Sequence, residues 1–344
     1  MLSLIRHIVG QPNIAVDLGT ANTRVYAPES DRFTEEPSKV SQIDRRRAEV
    51  IGDEYIAYLN SKLFFAPLRG GVVVDVDRAA NLLRPLVKKS KSGFRQPVTL
   101  ACAPTDTSEK ERGLLAKALL NAGASRVAII PEVWAAAMGA GLDVHDHAAQ
   151  ALIDIGHGVS DLAVIAGGRL IGASAVRTAC GDLQKAVRLA VIQRRKVYLY
   201  ASDVERLTHE LTALSEPGRP ERKLMSFNGM DIIKRRKVAV ELGSDEIVAA
   251  MEPVVNRIIK MIQQSLRGLA PEIRRDVTAA GLCLTGGGAC VKGMDRLIAQ
   301  RTGLTVRVAA NPIHSVINGA GKALAAWKQQ QNWWDNVAWP RHLS

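Results

Sequence analysis

Three short turns, each following an apolar run, carry the residue types that hold a polyphosphate. They are Asp17-Leu18-Gly19-Thr20-Ala21-Asn22-Thr23, Asp154-Ile155-Gly156-His157-Gly158 and Thr285-Gly286-Gly287-Gly288. Backbone N–H groups aimed at phosphate oxygens bind such a chain, and glycine lets the backbone approach with no Cβ in the way. The Mg2+ that accompanies a polyphosphate keeps several waters and takes one or two carboxylates. Asp17 and Asp154 would supply these, one from each half of the chain. No Gly-Lys-Ser/Thr follows, so neither acid-headed turn is a Walker-type loop. One glycine turn after a strand is ordinarily just a tight turn; three in this order, two of them headed by an acid, make a specific signal.

The elements that position these turns alternate between apolar runs and helical periodicity. Strands are predicted at 13–17, 23–26, 72–76, 98–103, 127–130, 151–154, 162–165, 170–173, 282–285 and 305–308. The first two form a hairpin turning on Leu18-Gly19-Thr20-Ala21-Asn22. Helices are predicted at 78–89, 108–121, 133–142, 186–214, 244–266 and 315–327, the second opening on a capping-type Ser108/Glu111 pair and stopping at Gly123. The pattern "apolar strand, Asp, glycine turn, strand" occurs twice, a weak internal repeat that predicts two similar α/β halves facing each other. Ligands are expected where the strand ends meet the glycine turns.

These motifs resemble a known family. DLGTANT, DIGHGVSDLAV and LTGGGA are similar to the phosphate-1, phosphate-2 and adenosine motifs of the actin, sugar-kinase and heat-shock-chaperone superfamily. Within it the chain resembles MreB, on PLRGGVVVDVD, PEVWAAAMGAGL, VRTACGDL and NPIHSVINGAGKAL, from about Asn13 to Lys328. The resemblance implies an α/β, actin-like ATPase fold of two lobes, each an α/β core with a smaller subdomain, and ATP with Mg2+ in the interlobe cleft. It divides the chain into a membrane-binding helix (1–11), a first lobe (12–142, small subdomain about 32–71), a second lobe (143–318, small subdomain about 180–243), a closing helix of the first lobe (319–328) and a Trp-rich tail (329–344).

The same resemblance implies that Asp17 and Asp154 serve the metal, that Glu132 positions the attacking water, and that Glu210 lies on the ribose side. Gly19, Thr20, Ala21, Asn22, Gly156, His157, Gly158, Gly286, Gly287 and Gly288 would line the nucleotide. It implies filaments of the protein with itself, attached to the inner face of the cell membrane, and membrane-embedded cell-wall synthesis proteins as partners. The chain departs from the family pattern at His157 (for Gly), Val159 (for Thr), Val133 (for Pro) and Thr208 (for Lys). The phosphate-2 departures strike hydrolysis harder than binding, which predicts a slow ATPase turning ATP into ADP and phosphate. His157 either lends a proton or hydrogen bond to the γ-phosphate or turns away from a backbone-only phosphate loop.

Composition bounds the partners. The formal net charge is +12, in clusters that include Arg45-Arg46-Arg47, Lys88-Lys89, Arg194-Arg195-Lys196 and Lys234-Arg235-Arg236-Lys237, so the partners are anionic. Aromatics are 4% of residues, with no interleaved stacking platform, which argues against nucleic acid. Cys102, Cys180, Cys283 and Cys290 form no Cys-x-x-Cys pair and read as reduced, packed thiols of a cytoplasmic protein.

At the N-terminus Leu2, Leu4, Ile5, Ile8 and Val9 share one face of a helical wheel opposite Ser3, Arg6 and His7. That is the form of a short amphipathic helix for an anionic membrane surface, or of a helix docked on its own domain. Four of the five tryptophans, Trp327, Trp333, Trp334 and Trp339, stand near the C-terminus, where a membrane contact, a partner-docking segment and a folded-back tail are equally open. Against the filament ATPase stand a nucleotide switch or scaffold with little hydrolysis, a plasmid- or organelle-positioning actin homologue, and a small-molecule kinase, for which no catalytic Asp constellation is found.

Overall fold

The computed structural model describes residues 13–41, 50–51, 64–90, 96–210 and 223–328. The helix expected at 1–11, the Arg45-Arg46-Arg47 cluster and the Trp-rich tail expected at 329–344 lie outside the described residues.

The repeat in the sequence is a repeat of topology. Ile14–Leu18 turns back antiparallel onto Asn22–Ala27, which pairs antiparallel with Arg32–Pro37. On its other edge Ile14–Leu18 runs parallel to Val98–Ala103, and that strand runs parallel to Arg126–Pro131. The second sheet has the same order: Gln150–Ile155, Ser160–Ala166 and Arg169–Val176 form the antiparallel meander, with Leu282–Thr285 and Val306–Val308 added in parallel. Both leading strands are apolar and covered on both faces, and each carries its aspartate at the end that meets the glycine turn.

Between the sheets lie two helices rich in small residues, Glu132–Gly139 and Ser315–Lys328. Their core holds Trp134, Ile317 and Leu324 against Leu100 and Cys102 of the first sheet and Leu152 and Cys283 of the second. The backbones touch. A Cβ on Gly139 would overlap the Ser315 carbonyl, and one on Gly319 would overlap that of Ala135. This sandwich holds the two acid-headed hairpins face to face. The outer faces of the sheets are covered by Val76–Ser90 and Glu109–Asn121 on one side of the molecule and by Cys180–Arg195 and Ser244–Arg267 on the other.

The helix Glu109–Asn121 begins as its sequence signals: Glu111 N–H donates to Ser108 Oγ at 3.3 Å and Ser108 N–H to Glu111 Oε2 at 2.9 Å. Other expectations are corrected. The strand at 72–76 is only Val72–Val73; the Asp75 carboxylate accepts the Arg78 N–H at 3.0 Å and starts a helix at Val76. The single helix at 186–214 is instead Cys180–Arg195, the strand Val197–Leu199 and the helix Ala201–Glu210. Lys196 breaks it in a left-handed conformation (φ +57°), after which Val197-Tyr198-Leu199 alternates as a strand does. That strand edges a hairpin, Leu224–Asp231 with Lys237–Gly243, which lies outside the predicted elements, as do the helices Pro271–Ala280 and Met294–Thr302. Cys102, Cys180 and Cys283 are buried free thiols.

Candidate functional site

The two hairpin turns, the Gly286–Gly287 turn and the N-terminus of the helix starting at Glu132 open on one interlobe cleft. Its walls include Asp17, Gly19, Thr20, Ala21, Asn22, Glu132, Asp154, Gly156, His157, Gly158, Gly286 and Gly287. Gly288 lies beneath the cleft, where any Cβ would run into Ile155. Glu210 ends its helix and its side chain is outside the described residues; the same helix presents Glu205 and His209, one turn apart, to the cleft. A larger cavity of about 600 Å³, between Arg169–Val176 and Ser244–Arg267, has no ionisable residue in its lining. The interlobe cleft, by contrast, is lined by the carboxyl groups of Asp17, Glu132 and Asp154.

The loops are set by specific contacts. Gly71 N–H, from the turn after Leu68–Arg69, donates to Thr20 Oγ1 at 3.0 Å, and the same turn meets the second hairpin at Val159. Gly158 packs where a Cβ would lie 2.5 Å from Thr20 Oγ1 and 2.9 Å from Gly71 N, so only glycine lets the two phosphate-type turns come this close. Gly19 O accepts from Ser38 Oγ at 2.5 Å, tying the first turn to the end of the third strand.

The acids are crowded and buried. Burial raises the Glu132 carboxyl well above the usual range, and the negative charges of Asp17, Asp154 and Asp161 push it further. Burial lifts Asp154 to about 6, against the hydrogen bond that Thr285 Oγ1 donates to its Oδ1 at 2.7 Å. Asp17 is also raised by burial, with Arg24 opposing the shift. Arg24, 8% exposed, donates from NH1 to Asp17 Oδ2 at 3.2 Å and from Nε and NH2 to Glu35 Oε1 at 3.0 and 2.8 Å. His314 Nε2 sits 3.0 Å from the other Glu35 oxygen. Arg24 is the single Lys or Arg among the described residues lining the cleft.

Burial lowers the His157 imidazole below its ordinary value, with Lys39 adding to the shift, so at pH 7 it is a neutral hydrogen-bonding group. Its ring packs on Gly181, at the start of Cys180–Arg195. Val159 is buried and apolar at the cleft wall. Asp161, opposite Asp154 across the hairpin, accepts Thr105 N–H at 2.7 Å and the Thr105 hydroxyl, linking the lobes behind the cleft. Burial raises it to about 7.

Sequence reasoning missed Arg24, Gly71, Glu205 and His209. A lone charged residue in the strand that pairs with the Asp17 strand was the signal for Arg24, and the Gly70-Gly71 pair was the signal for the covering turn.

Buried carboxylates held above their ordinary values and facing glycine-backed N–H groups suit a hard cation carrying a polyphosphate. Such a donor set fits Mg2+, which oxygen ligands and water satisfy.

Comparison with known proteins agrees with this geometry. A family model described as MreB/Mbl protein matches residues 11–332. The cell shape-determining protein MreB of Escherichia coli (strain K12) is 30% identical over 91% of this chain and 93% of its own length. Mbl of Bacillus subtilis (strain 168), also called cell shape-determining, is 27% identical over 91% and 95%. The crystal structure of MreB 5 of Spiroplasma citri bound to AMPPNP superposes with a TM-score of 0.85 at 23% identity, over 93% of this chain and 98% of that one. A MamK double helical filament gives 0.77 at 20% identity, over 91% and 98%. These likenesses establish the actin-like fold expected from the motifs. With the matched family model spanning both lobes and a relative 30% identical along nearly its whole length, the chain belongs to the MreB/Mbl family.

Proposed function

We propose that this chain is an ATP-binding, actin-like cytoskeletal protein that assembles with itself into filaments on the inner face of the cell membrane and determines cell shape by organising cell-wall synthesis. The observation that carries the reading is the convergence of two acid-headed glycine hairpins, Glu132 and the Gly286–Gly287 turn on one cleft. Relatives named cell shape-determining proteins support the cellular role, and the MamK filament supports self-assembly. No helix among the described residues is long and apolar enough to cross a membrane, so attachment would be peripheral.

Asp17 and Asp154 would hold Mg2+, which when bound neutralises the polyphosphate. The backbone of the 19–22, 156–158 and 286–287 turns binds the phosphates, and Glu205 and His209 stand toward the nucleoside end. Ionised, Glu132 would be the stronger acceptor for the attacking water, with no O–H to compete in the opposite sense. Burial beside Asp17 and Asp154 opposes that ionisation, and positive charge entering the cleft favours it. The water-orienting step therefore depends on occupancy of the site.

Buried, apolar Val159 supports a second reading on the same fold, a switch or scaffold with little hydrolysis. Titration of a fluorescent ATP analogue against wild type and Gly287→Arg tests the site: the variant is expected to lose binding, and equal affinity for both removes the reading. Negative-stain microscopy with ATP and lipid tests assembly, and phosphate release separates filament ATPase from switch.

A further inference from the structure

Two basic clusters that are far apart in the chain, Arg194-Arg195-Lys196 and Lys234-Arg235-Arg236-Lys237, are joined by the fold. The strand Val197–Leu199 leaves the first cluster and pairs antiparallel with the end of Leu224–Asp231, setting Val197 opposite Asp231. At the hairpin tip the Ile232 N–H donates to Lys196 O at 2.9 Å.

The tip is a built turn. The Asp231 carboxylate accepts the N–H groups of Ile233 and Lys234 at 2.9 and 2.8 Å. The Arg235 N–H closes on Asp231 O at 2.9 Å, with Arg235 left-handed at φ +52°. The turn thus engages its only acid with its own backbone. What it presents outward is apolar and cationic. Ile232 and Ile233 are 45% and 71% exposed, and Ile233 is the most exposed large hydrophobic side chain among the described residues. Lys196, Lys234, Arg235, Arg236 and Lys237 are all exposed around them. Arg194 and Arg195 are engaged with Glu246, at 4.0 and 2.7 Å, and are left out of this set.

Two isoleucines at an apex, ringed by cations, match a layered partner that is anionic outside and apolar just beneath. A nucleic acid offers the charge but no place for the isoleucines, and the neighbouring Tyr198 ring is already faced by Arg188 at 5.6 Å. A second copy of the chain carries the same net charge of +12, so charge gives the tip no preference for one.

We propose that the tip Ile232–Lys237, with Lys196, is a lipid-contact site that seats Ile232 and Ile233 among the acyl chains of an anionic membrane while the basic side chains meet its headgroups. Lipid contact at the tip does not depend on the N-terminal segment binding lipid.

The test uses the full chain with Ile233→Cys carrying an environment-sensitive fluorophore; wild type treated the same way reports background from the half-buried Cys290. With phosphatidylglycerol vesicles the emission is expected to shift to the blue and to be quenched by nitroxide on the acyl chains. Phosphatidylcholine vesicles should produce neither change, and high salt should weaken both. Lys234→Ser with Arg236→Ser changes only exposed side chains, since both residues join the turn through their backbones, and should lower the apparent lipid affinity of the labelled tip by roughly 10-fold or more. Co-sedimentation with phosphatidylglycerol vesicles while the probe stays in water would mean that the chain meets lipid elsewhere, and overturns the proposal. Shielding that requires nucleotide-driven assembly and no lipid assigns the tip to a second copy, and stronger shielding by duplex DNA assigns it to nucleic acid; either result overturns it as well.

Discussion

Arg24→Met removes the one arginine of the cleft while keeping much of its aliphatic volume. Arg24 pairs with Asp17 at 3.2 Å and with Glu35 at 2.8 Å, and its side chain is 9% exposed. Breaking a buried pair by removing one partner commonly costs about 3–5 kcal/mol, because a charge is left uncompensated. Asp17 limits the loss by taking a proton. From its ordinary value of 3.8, protonation at pH 7 costs about 4 kcal/mol, and part of that is already present because burial raises Asp17 even beside Arg24. Half-exposed Glu35 adds little. The expected loss in nucleotide-free protein is about 3 kcal/mol at pH 7, a fall in melting temperature of roughly 5 °C for a chain of this size. The pH dependence has a definite sign. The variant raises the folded-state value of Asp17 further above its unfolded one, so the deficit is small near pH 4 and grows as pH rises through the folded value. Mg2+ with ATP returns positive charge to Asp17, so the ligand-induced shift in melting temperature should be larger in the variant than in wild type. Thermal unfolding from pH 4 to 8, with EDTA or with Mg2+ and ATP, reads all three. A deficit under 1 kcal/mol, or one independent of pH, would refute the claim that Arg24 holds the Asp17 charge.

Val159→Thr should raise phosphate release on the order of 10²-fold with little change in ATP affinity, because one oriented hydrogen bond to the reacting water is worth roughly 2–4 kcal/mol. Glu132→Ala should abolish the remaining turnover, and a wild-type rate unaffected by Val159→Thr would show that the water is held otherwise. Gly319→Val places a branched side chain against the Ala135 carbonyl between the two sheets, a contact that no rotamer relieves. The variant should be recovered mainly in the insoluble fraction, and a soluble protein with a wild-type melting temperature would contradict the described crossing.

The two hairpins were legible because their signals are local: an apolar run, an acid and a glycine turn within a dozen residues, repeated in the second half. The capped helix after Ser108 was legible for the same reason. What escaped was set by tertiary partners. The tie from His314 to Glu35 joins residues 279 apart in sequence, and nothing near Glu35 signals it. Arg24 was visible as the one charge in its strand, yet its role depends on Asp17 and Glu35 arriving on either side of it. The long helix read at 186–214 failed where Lys196 takes a left-handed turn, because the apolar residues on both sides fit helical spacing until the Leu224–Asp231 strand offers Val197–Leu199 a partner. Glu210 is placed from the family pattern and its side chain lies outside the described residues, while Glu205 and His209 of the same helix line the cleft.

The topological repeat makes the two metal-facing acids equivalent by position and unequal by environment. Asp17 faces Arg24 across its hairpin and Asp154 faces Asp161 across the other. The first partner is a cation that stabilises the ionised acid; the second is another acid, itself turned away to Thr105 of the opposite lobe. Held near 6 rather than at its ordinary 3.8, Asp154 destabilises the folded, ionised state by about 3 kcal/mol above pH 6, a contribution absent below pH 4. Asp154→Asn removes that strain and keeps an oxygen for the Thr285 hydroxyl, so the nucleotide-free variant should be more stable than wild type at pH 8 and indistinguishable near pH 4. Asp17→Asn also relieves a burial-raised acid, but it leaves Arg24 facing an amide with Glu35 as its remaining charged partner, and that larger loss should destabilise the variant at pH 8. Both variants should bind the fluorescent ATP analogue with less dependence on Mg2+, since each loses one carboxylate of the expected metal pair. Opposite signs in stability joined to the same sign in metal dependence are what a site with one compensated and one uncompensated carboxylate requires. Equal stability changes in the two variants would mean that Arg24 and Asp161 do not set the difference between the lobes.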